Sequence, residues 1–386
     1  MSRLLYQAEL PRLLPRLWEA SPLTESNRRP SPYHGDALPT ELRGLSPRRI
    51  VQAKSGPEIR VTSAIPFMRE SPPAKDYPMT KSVQKVQWNE ALIPDLTGKV
   101  VVVTGGNSGL GLENVRALAT AGAEVVMACR NIEKGEAARE LLGIPKTRID
   151  VRELNLASLK SIRLFAEDLP YASVDILINN AGVMAPPRSL TDDGFELQFG
   201  TNHLGHFALT LLLLEKIKPD SGRIVTVSSN AHKAGKINFD DLMYAEKYSA
   251  WGAYAQSKLA NLLFAFELQR MLLQTKSNIL SVAAHPGYSA TNLSLSVMPS
   301  VKGFFRQQVR KFEQVIAQPA VMGALPQLYA AVADEVVSAG YYGPDGLGEW
   351  SGYPKAVTPI AKARDQELAK RLWMVSEVLT QQRFSL

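Results

Sequence analysis

The sequence predicts an α/β protein built on a doubly wound parallel sheet with helices on both faces, and three observations carry the prediction. From Leu96 onward, short apolar runs alternate with helical stretches, as expected of strands joined by crossover helices. The first run, Lys99-Val100-Val101-Val102-Val103, breaks directly into Thr104-Gly105-Gly106-Asn107-Ser108-Gly109-Leu110-Gly111. Later runs close in polar or glycine-bearing residues, at the strand ends where open α/β sheets bind ligands.

Strands are expected at Lys99 to Thr104, Glu124 to Cys129, Ile149 to Leu154, Val174 to Asn179, Arg223 to Ser228 and Ile279 to Ala284, with a seventh near Tyr341. Helices open at Gly109, Glu133, Leu159, Phe195 and about Trp251. In the glycine turn, a short strand enters a helix and leaves N–H groups bare at the helix N-terminus, where the macrodipole favours an anion. The spacing is Gly-x-x-x-Gly-x-Gly rather than the general dinucleotide fingerprint, and it points to a pyrophosphate seat. A glycine-rich turn without a ligand is the alternative.

The strand ends are unusual. The second closes in Cys129-Arg130, the fourth in Asn179-Asn180-Ala181-Gly182, the fifth in Ser228-Ser229 and the sixth in His285-Pro286-Gly287. Tyr254 and Lys258 open a long helix, and their four-residue spacing puts phenol and ammonium on one face. The spacing alone is weak, because Tyr77 and Lys81 repeat it in a proline-rich tail. Context lifts the second pair: Ser229 precedes Tyr254 by 25 residues on the same predicted rim, and Asn202 lies in the intervening helix.

A serine hydroxyl polarises a carbonyl while a tyrosine exchanges the proton, provided the phenol ionises near neutral pH. Bringing a tyrosine from about 10 to near 7 takes about 4 kcal/mol. An ammonium about 4 Å away, at an effective dielectric near 20, supplies on the order of 4 kcal/mol. Lys258 alone is therefore expected to suffice. Singly, Ser229, Tyr254 and Lys258 read as strand cap, helix-start aromatic and solvated cation; jointly they read as a proton-transfer set.

With these residues in hand, the chain from about Leu96 resembles the short-chain dehydrogenase/reductase family. Thr104 to Gly111, Asn179 to Gly182, Asn202, Ser229, Tyr254, Lys258 and Pro286-Gly287 match its motifs in order and spacing. The resemblance is closest to the retinol dehydrogenase and WW-domain oxidoreductase-like branch, including bacterial relatives of unassigned substrate. It is carried by Ala157 to Ile162, Gln198 to Phe207, Ser257 to Asn261 and Arg371 to Glu377.

The resemblance implies a Rossmann-type sheet of about seven strands. It makes Tyr254 the general acid/base and Ser229 the residue orienting the substrate oxygen. Lys258 would hold the nicotinamide ribose, and Asn202 would keep a water-linked proton relay near it. Gly105, Asn107, Ser108, Gly109, Leu110 and Gly111 would seat the pyrophosphate. Asn180, Ala181 and Gly182 would lie by the adenine ribose, and Pro286, Gly287 and Thr291 near the nicotinamide amide and phosphates. Asn155, before Leu156, stands where the family usually places an aspartate against the adenine; an amide both donates and accepts.

Cofactor choice is read at the end of strand two, where a carboxylate suits a ribose 2′-hydroxyl and an arginine a 2′-phosphate. Ala128-Cys129-Arg130-Asn131 contains no acid, so NADP is expected, with Arg130 as phosphate partner. The predicted activity is hydride transfer between this cofactor and an alcohol/carbonyl pair on a lipophilic small molecule. The rival reading is a nucleotide-bound scaffold with incidental turnover; the intact Ser229, Tyr254 and Lys258 argue against it.

Composition bounds the remainder. The 386 residues are 45% apolar and 21% charged, an ordinary globular balance. Of the +7 net charge, +4 lies in residues 1–78, leaving too mild an excess elsewhere to argue for nucleic acid. Cys129 is the sole cysteine, so no intrachain disulfide forms and a cytoplasmic setting fits; the thiol reads as a small hydrophobe. No apolar run approaches the roughly 18 residues of a membrane helix. His203, His206, His232 and His285 lack carboxylate or cysteine partners at ligand spacing, which speaks against a metal.

Residues 1–90 hold 12 of the 25 prolines before Met79 and show no sustained periodicity, so a disordered tail is expected, with residues 91–386 as a single domain. Residues 1–78 are read as dispensable with Met79 a candidate start, against a rival regulatory or targeting tail. Residues 293–318 mix basic and apolar side chains where this fold carries its substrate lid. Leu259, Leu262, Leu263 and Phe266 make a stripe for the core or for a homo-oligomer interface.

Overall fold

A computed structural model describes residues 87–288 and 318–386. Met79, the Tyr77/Lys81 pair, Thr291, residues 293–317 and all but the last four residues of the expected tail lie outside the described residues. Those four belong to the folded unit. The Trp88 ring meets Tyr329 edge-on at 5.3 Å, and Glu90 pairs with Arg116 at 2.6 Å.

Eight strands form one sheet: β1 (Val100–Thr104), β2 (Glu124–Cys129), β3 (Ile149–Glu153), β4 (Ile176–Asn179), β5 (Arg223–Val227), β6 (Leu280–Ala284), β7 (Tyr341–Pro344) and β8 (Pro354–Ala356). Their spatial order is β3-β2-β1-β4-β5-β6-β7-β8. The first seven are parallel, and β8 runs antiparallel to β7 as an edge. The sheet thus has one strand more than expected. The order reverses between β1 and β4, which makes their carboxyl ends the switch point of the sheet.

The crossover helices are α1 (Gly109–Thr120), α2 (Ile132–Leu142), α3 (Leu159–Glu167), α4 (Gly205–Leu213), α5 (Ala250–Gln274) and α6 (Ala320–Val332), followed by a C-terminal α7 (Gln366–Thr380). Strand side chains alternate between faces, so buried strands feed two cores. Val101, Val103, Val125 and Met127 join α1 and α6 in one layer. Val102, Val126, Leu177 and Ile224 join α3, α4 and part of α5 in the other.

The apolar stripe of α5 resolves in favour of the core. Leu259, Leu262 and Leu263 are fully buried and Phe266 nearly so, in a cluster with Leu372, Val375 and Leu379 of α7. Two arginines seal this seam by stacking on phenylalanine rings at 3.9 Å, Arg364 over Phe266 and Arg371 over Phe239.

Candidate active site

The switch point is braced by one threonine. Thr104, the last residue of β1, accepts at Oγ1 from the N–H groups of Asn180 and Ala181, both at 3.0 Å, and its carbonyl accepts from Asn180 Nδ2 at 2.8 Å. The turn that follows requires glycine. Gly105 and Gly109 sit at φ +67° and +53°, a left-handed backbone that costs other residues about 1 kcal/mol or more. A Cβ on Gly106 would press into Met127 and Val115 at 2.8 and 2.9 Å, and one on Gly111 would strike the Gly105 carbonyl.

Ser108 is the N-cap of α1 but makes no side-chain cap, so its hydroxyl leaves the first-turn N–H groups to another acceptor. Gly105, Asn107, Ser108, Gly109, Leu110 and Gly111 therefore form a close-packed glycine cradle in which the Gly105 N–H is held by the Ala128 carbonyl at 2.7 Å and the first-turn N–H groups of α1 have no side-chain cap, an N-terminus that fits a dinucleotide pyrophosphate.

The other predicted cofactor residues stand on the same rim. Arg130 closes β2 and is exposed. No acidic residue closes β2; Glu153, at the end of the neighbouring strand, pairs in register with Cys129. Asn155 and Leu156 follow β3, and the Asn155 Oδ1 accepts from the Ala157 N–H at 3.1 Å, which leaves its second lone pair and its Nδ2 for a ligand. Asn180, Ala181 and Gly182 follow β4, and Pro286 and Gly287 follow β6, with Gly287 at φ +67°. Thr291 is outside the described residues.

Asn202, Ser229, Tyr254 and Lys258 converge. Asn202 sits in a π-turn (Gly200–Leu204) ahead of α4, a widened helical segment of the kind frequent at functional sites. Its side chain is fully engaged. Oδ1 accepts from the Val183 N–H at 2.8 Å, while Nδ2 donates to Val183 O and Ser257 Oγ, each at 2.9 Å. The amide thereby ties the segment after β4 to α5. Just ahead of that tie, a Cβ on Gly182 would lie 3.2 Å from Asn202 Oδ1 and 3.5 Å from Lys258 Nζ.

The structure separates the two serines. Ser228 is buried and donates to the Lys258 carbonyl at 2.8 Å, a bond within the scaffold. Ser229 is half-buried, its hydroxyl accepts from the Ala231 N–H at 3.2 Å, and its side chain acts on the Tyr254 phenol, favouring the ionised form. Of the two serines, Ser229 is the one not engaged by the Lys258 carbonyl and whose side chain bears on the phenol.

One expectation fails. Lys258 Nζ lies 5.7 Å from the centroid of the Tyr254 ring and donates to Val227 O at 3.1 Å instead of to the phenol. Burial pushes Tyr254 above its usual value, opposed only by the nearby Ser229 hydroxyl, and pushes Lys258 down to about 8. Desolvation of both buried groups outweighs the Coulomb attraction between amine and phenolate.

A strap from the β7–β8 loop closes the site on the far side. Gly348 and Glu349 are both left-handed, at φ +64° and +60°. The Glu349 carboxylate meets Lys233 at 3.2 Å and the buried His285 at 3.3 Å, which hold it down to about 2. Asn230 Nδ2 donates to Glu349 O at 3.2 Å, and Trp350 O accepts from the Tyr288 N–H at 2.7 Å. The strap, which the sequence did not reveal, pins the segments carrying Ser229 and Pro286-Gly287 together.

A parallel sheet with a glycine cradle at its switch point and a Ser–Tyr–Lys group on the same rim defines a nicotinamide-dependent oxidoreductase. A family model for short chain dehydrogenases matches residues 99–301. Retinol dehydrogenase 13 of Homo sapiens is 43% identical over 296 residues, 75% of this chain and 85% of the relative. Retinol dehydrogenase 12 of Homo sapiens is 42% identical, over 73% of this chain and 86% of its own. A crystal structure of an uncharacterized protein from Mycobacterium paratuberculosis, 44% identical, superposes with a TM-score of 0.66 and covers 78% of this chain and 100% of that one. The chain belongs to the short-chain dehydrogenase/reductase family, as a retinol dehydrogenase-like member and an NAD(P)-dependent enzyme. Among the described residues, no helix is long and apolar enough to cross a membrane.

Proposed function

We propose that this enzyme interconverts an alcohol and an aldehyde or ketone on a lipophilic small molecule, with NADP as cofactor. The observation that carries this reading is the convergence of Ser229, Tyr254 and Lys258, with Lys258 beside Gly182 and 5.7 Å from the phenol ring centroid, on the rim that holds the glycine cradle. Tyr254 exchanges the proton of the substrate oxygen, and Ser229, beside the phenol, orients that oxygen. Lys258 holds the nicotinamide ribose, and Asn202 keeps the relay segment against α5. When bound, the nicotinamide supplies or accepts the hydride and, in its oxidised form, brings a positive charge.

NADP is favoured by Arg130, an exposed cation at the end of β2 where no carboxylate stands to receive a ribose 2′-hydroxyl. A lipophilic substrate is favoured by Trp251, which is 56% exposed one turn before Tyr254, its ring edge-on to the phenol ring at 6.1 Å. The names of the retinol dehydrogenase relatives point the same way.

The test is turnover of retinal-like, steroid and aliphatic carbonyls with NADPH and with NADH. The reading requires consumption of NADPH in preference to NADH, and a loss of about 100-fold or more in Tyr254→Phe, in line with a general acid. A Tyr254→Phe variant with wild-type turnover defeats it.

A further inference from the structure

His206 stands where three segments of the site meet. It is 1% exposed, lies four residues beyond Asn202, and enters none of the roles assigned above. Its Nδ1 is 2.9 Å from the Asn202 main-chain oxygen and its Nε2 is 2.9 Å from Thr104 Oγ1.

Counting donors fixes the protons. A carbonyl oxygen only accepts, so Nδ1 carries the hydrogen. Thr104 Oγ1 receives the N–H groups of Asn180 and Ala181, which fill its two lone pairs. Its own hydrogen remains to be donated, and Nε2 at 2.9 Å is a nearer acceptor than Ile178 O at 3.4 Å. A neutral Nδ1–H imidazole is the one form that satisfies every group. Burial favours the same form, pushing His206 down to about 4, with the Asn202 bond opposing and the Lys258 charge adding to the depression.

We propose that His206 is a positioning residue for hydride transfer. Its ring registers the Asn202 π-turn against the end of β1 and the Asn180-Ala181 segment, so that the proton-handling and nucleotide-holding halves of the site are set by a single imidazole. This rests on the reading of Asn202 and of the glycine cradle given above. A side chain of similar size without polar atoms fills the space but leaves the Thr104 hydroxyl and the Asn202 carbonyl without their shared partner.

The test has two arms. In the first, the full chain is labelled with ¹⁵N-histidine, and the His206 signal is assigned by its loss in His206→Asn. It is expected to show the Nδ1–H tautomer, unchanged from about pH 6 to pH 9. An Nε2–H pattern, or titration in that range, overturns the proposal.

In the second arm, three variants are compared by NADPH fluorescence titration and by turnover of a carbonyl that the wild type reduces. His206→Leu is expected to lose about 10- to 100-fold in kcat/KM, the scale of a small misplacement of reacting groups. His206→Asn, whose amide still reaches the Asn202 carbonyl, recovers kcat ahead of NADPH affinity. His206→Gln, whose longer amide reaches Thr104, recovers NADPH affinity ahead of kcat. Folded variants that all keep wild-type kcat and NADPH affinity overturn the proposal. A wild-type chain that binds no nicotinamide nucleotide overturns instead the functional reading on which it rests.

Discussion

Lys258 and Tyr254 share one face of α5, with the amine 5.7 Å from the centroid of the phenol ring, yet the amine donates to the Val227 carbonyl. The side chains are 4% and 7% exposed. Burial therefore dominates both, and it acts in opposite senses. It favours the neutral phenol by raising Tyr254, and the neutral amine by lowering Lys258 to about 8.

The phenol should consequently stay protonated in the nucleotide-free protein. Ultraviolet difference titration, comparing wild type with Tyr254→Phe, is expected to show no Tyr254 ionisation below about pH 10. Saturating NADP⁺ should lower that midpoint, because the positive nicotinamide adds the attraction that Lys258 alone does not supply. A midpoint near neutrality without nucleotide contradicts this.

Replacing Lys258 by methionine should stabilise the fold and abolish turnover. The buried amine binds its proton more weakly folded than unfolded, so it opposes folding at neutral pH by on the order of a few kcal/mol. That opposition fades as pH rises from about 8 toward the unfolded value of 10.5. Val227 O retains Asn261 Nδ2 as donor at 3.0 Å, so the substitution orphans no carbonyl. A urea midpoint higher for Lys258→Met at pH 7, with the difference shrinking at about pH 10, is the expected pattern.

Acid should unfold this protein early. His203 and His206 are pushed down to about 3 and about 4 by burial, and His232 and His285 are lowered for the same reason. Below about pH 6.5 the unfolded chain takes up protons that the folded chain refuses, so stability is full above that value and is lost as pH falls. Urea midpoints measured from about pH 7 to pH 4 should fall with a slope of more than one proton. A flat profile contradicts the neutral burial of these rings.

Arg130→Ala should erase the preference for NADPH. Loss of a charge-assisted bond to phosphate predicts a KM for NADPH higher by about 10- to 100-fold, with KM for NADH nearly unchanged. An equal rise in both would place Arg130 outside the 2′-phosphate contact.

The strand ends were legible because they are written in residues that core packing does not demand: glycines, paired asparagines, paired serines. β2 runs from Glu124 to Cys129 as read, and the other expected strands differ by two residues or fewer at either end. Several features were not legible. The three residues of β8, Pro354–Ala356, carry no strand pattern of their own and form a strand through pairing with β7, a tertiary cause. The helix α6 carries Pro326 and is apolar on most sides, so no amphipathic period marks it. The strap depends on Glu349 in a left-handed backbone that sequence does not announce. The acidity of Tyr254 depends on burial, which, unlike spacing, is not visible in the chain, and the His206 bridge joins residues 102 positions apart.

The placement of α7 bears on how copies of this protein meet. Leu372, Val375 and Leu379 cover the flank of α5 that carries Leu259, Leu262, Leu263 and Phe266, so self-association through that flank requires the last helix to be displaced. A chain shortened before Gln366 would uncover a greasy strip along α5 one turn beyond Tyr254, and pairing or precipitation of the shortened form is the physical outcome to expect.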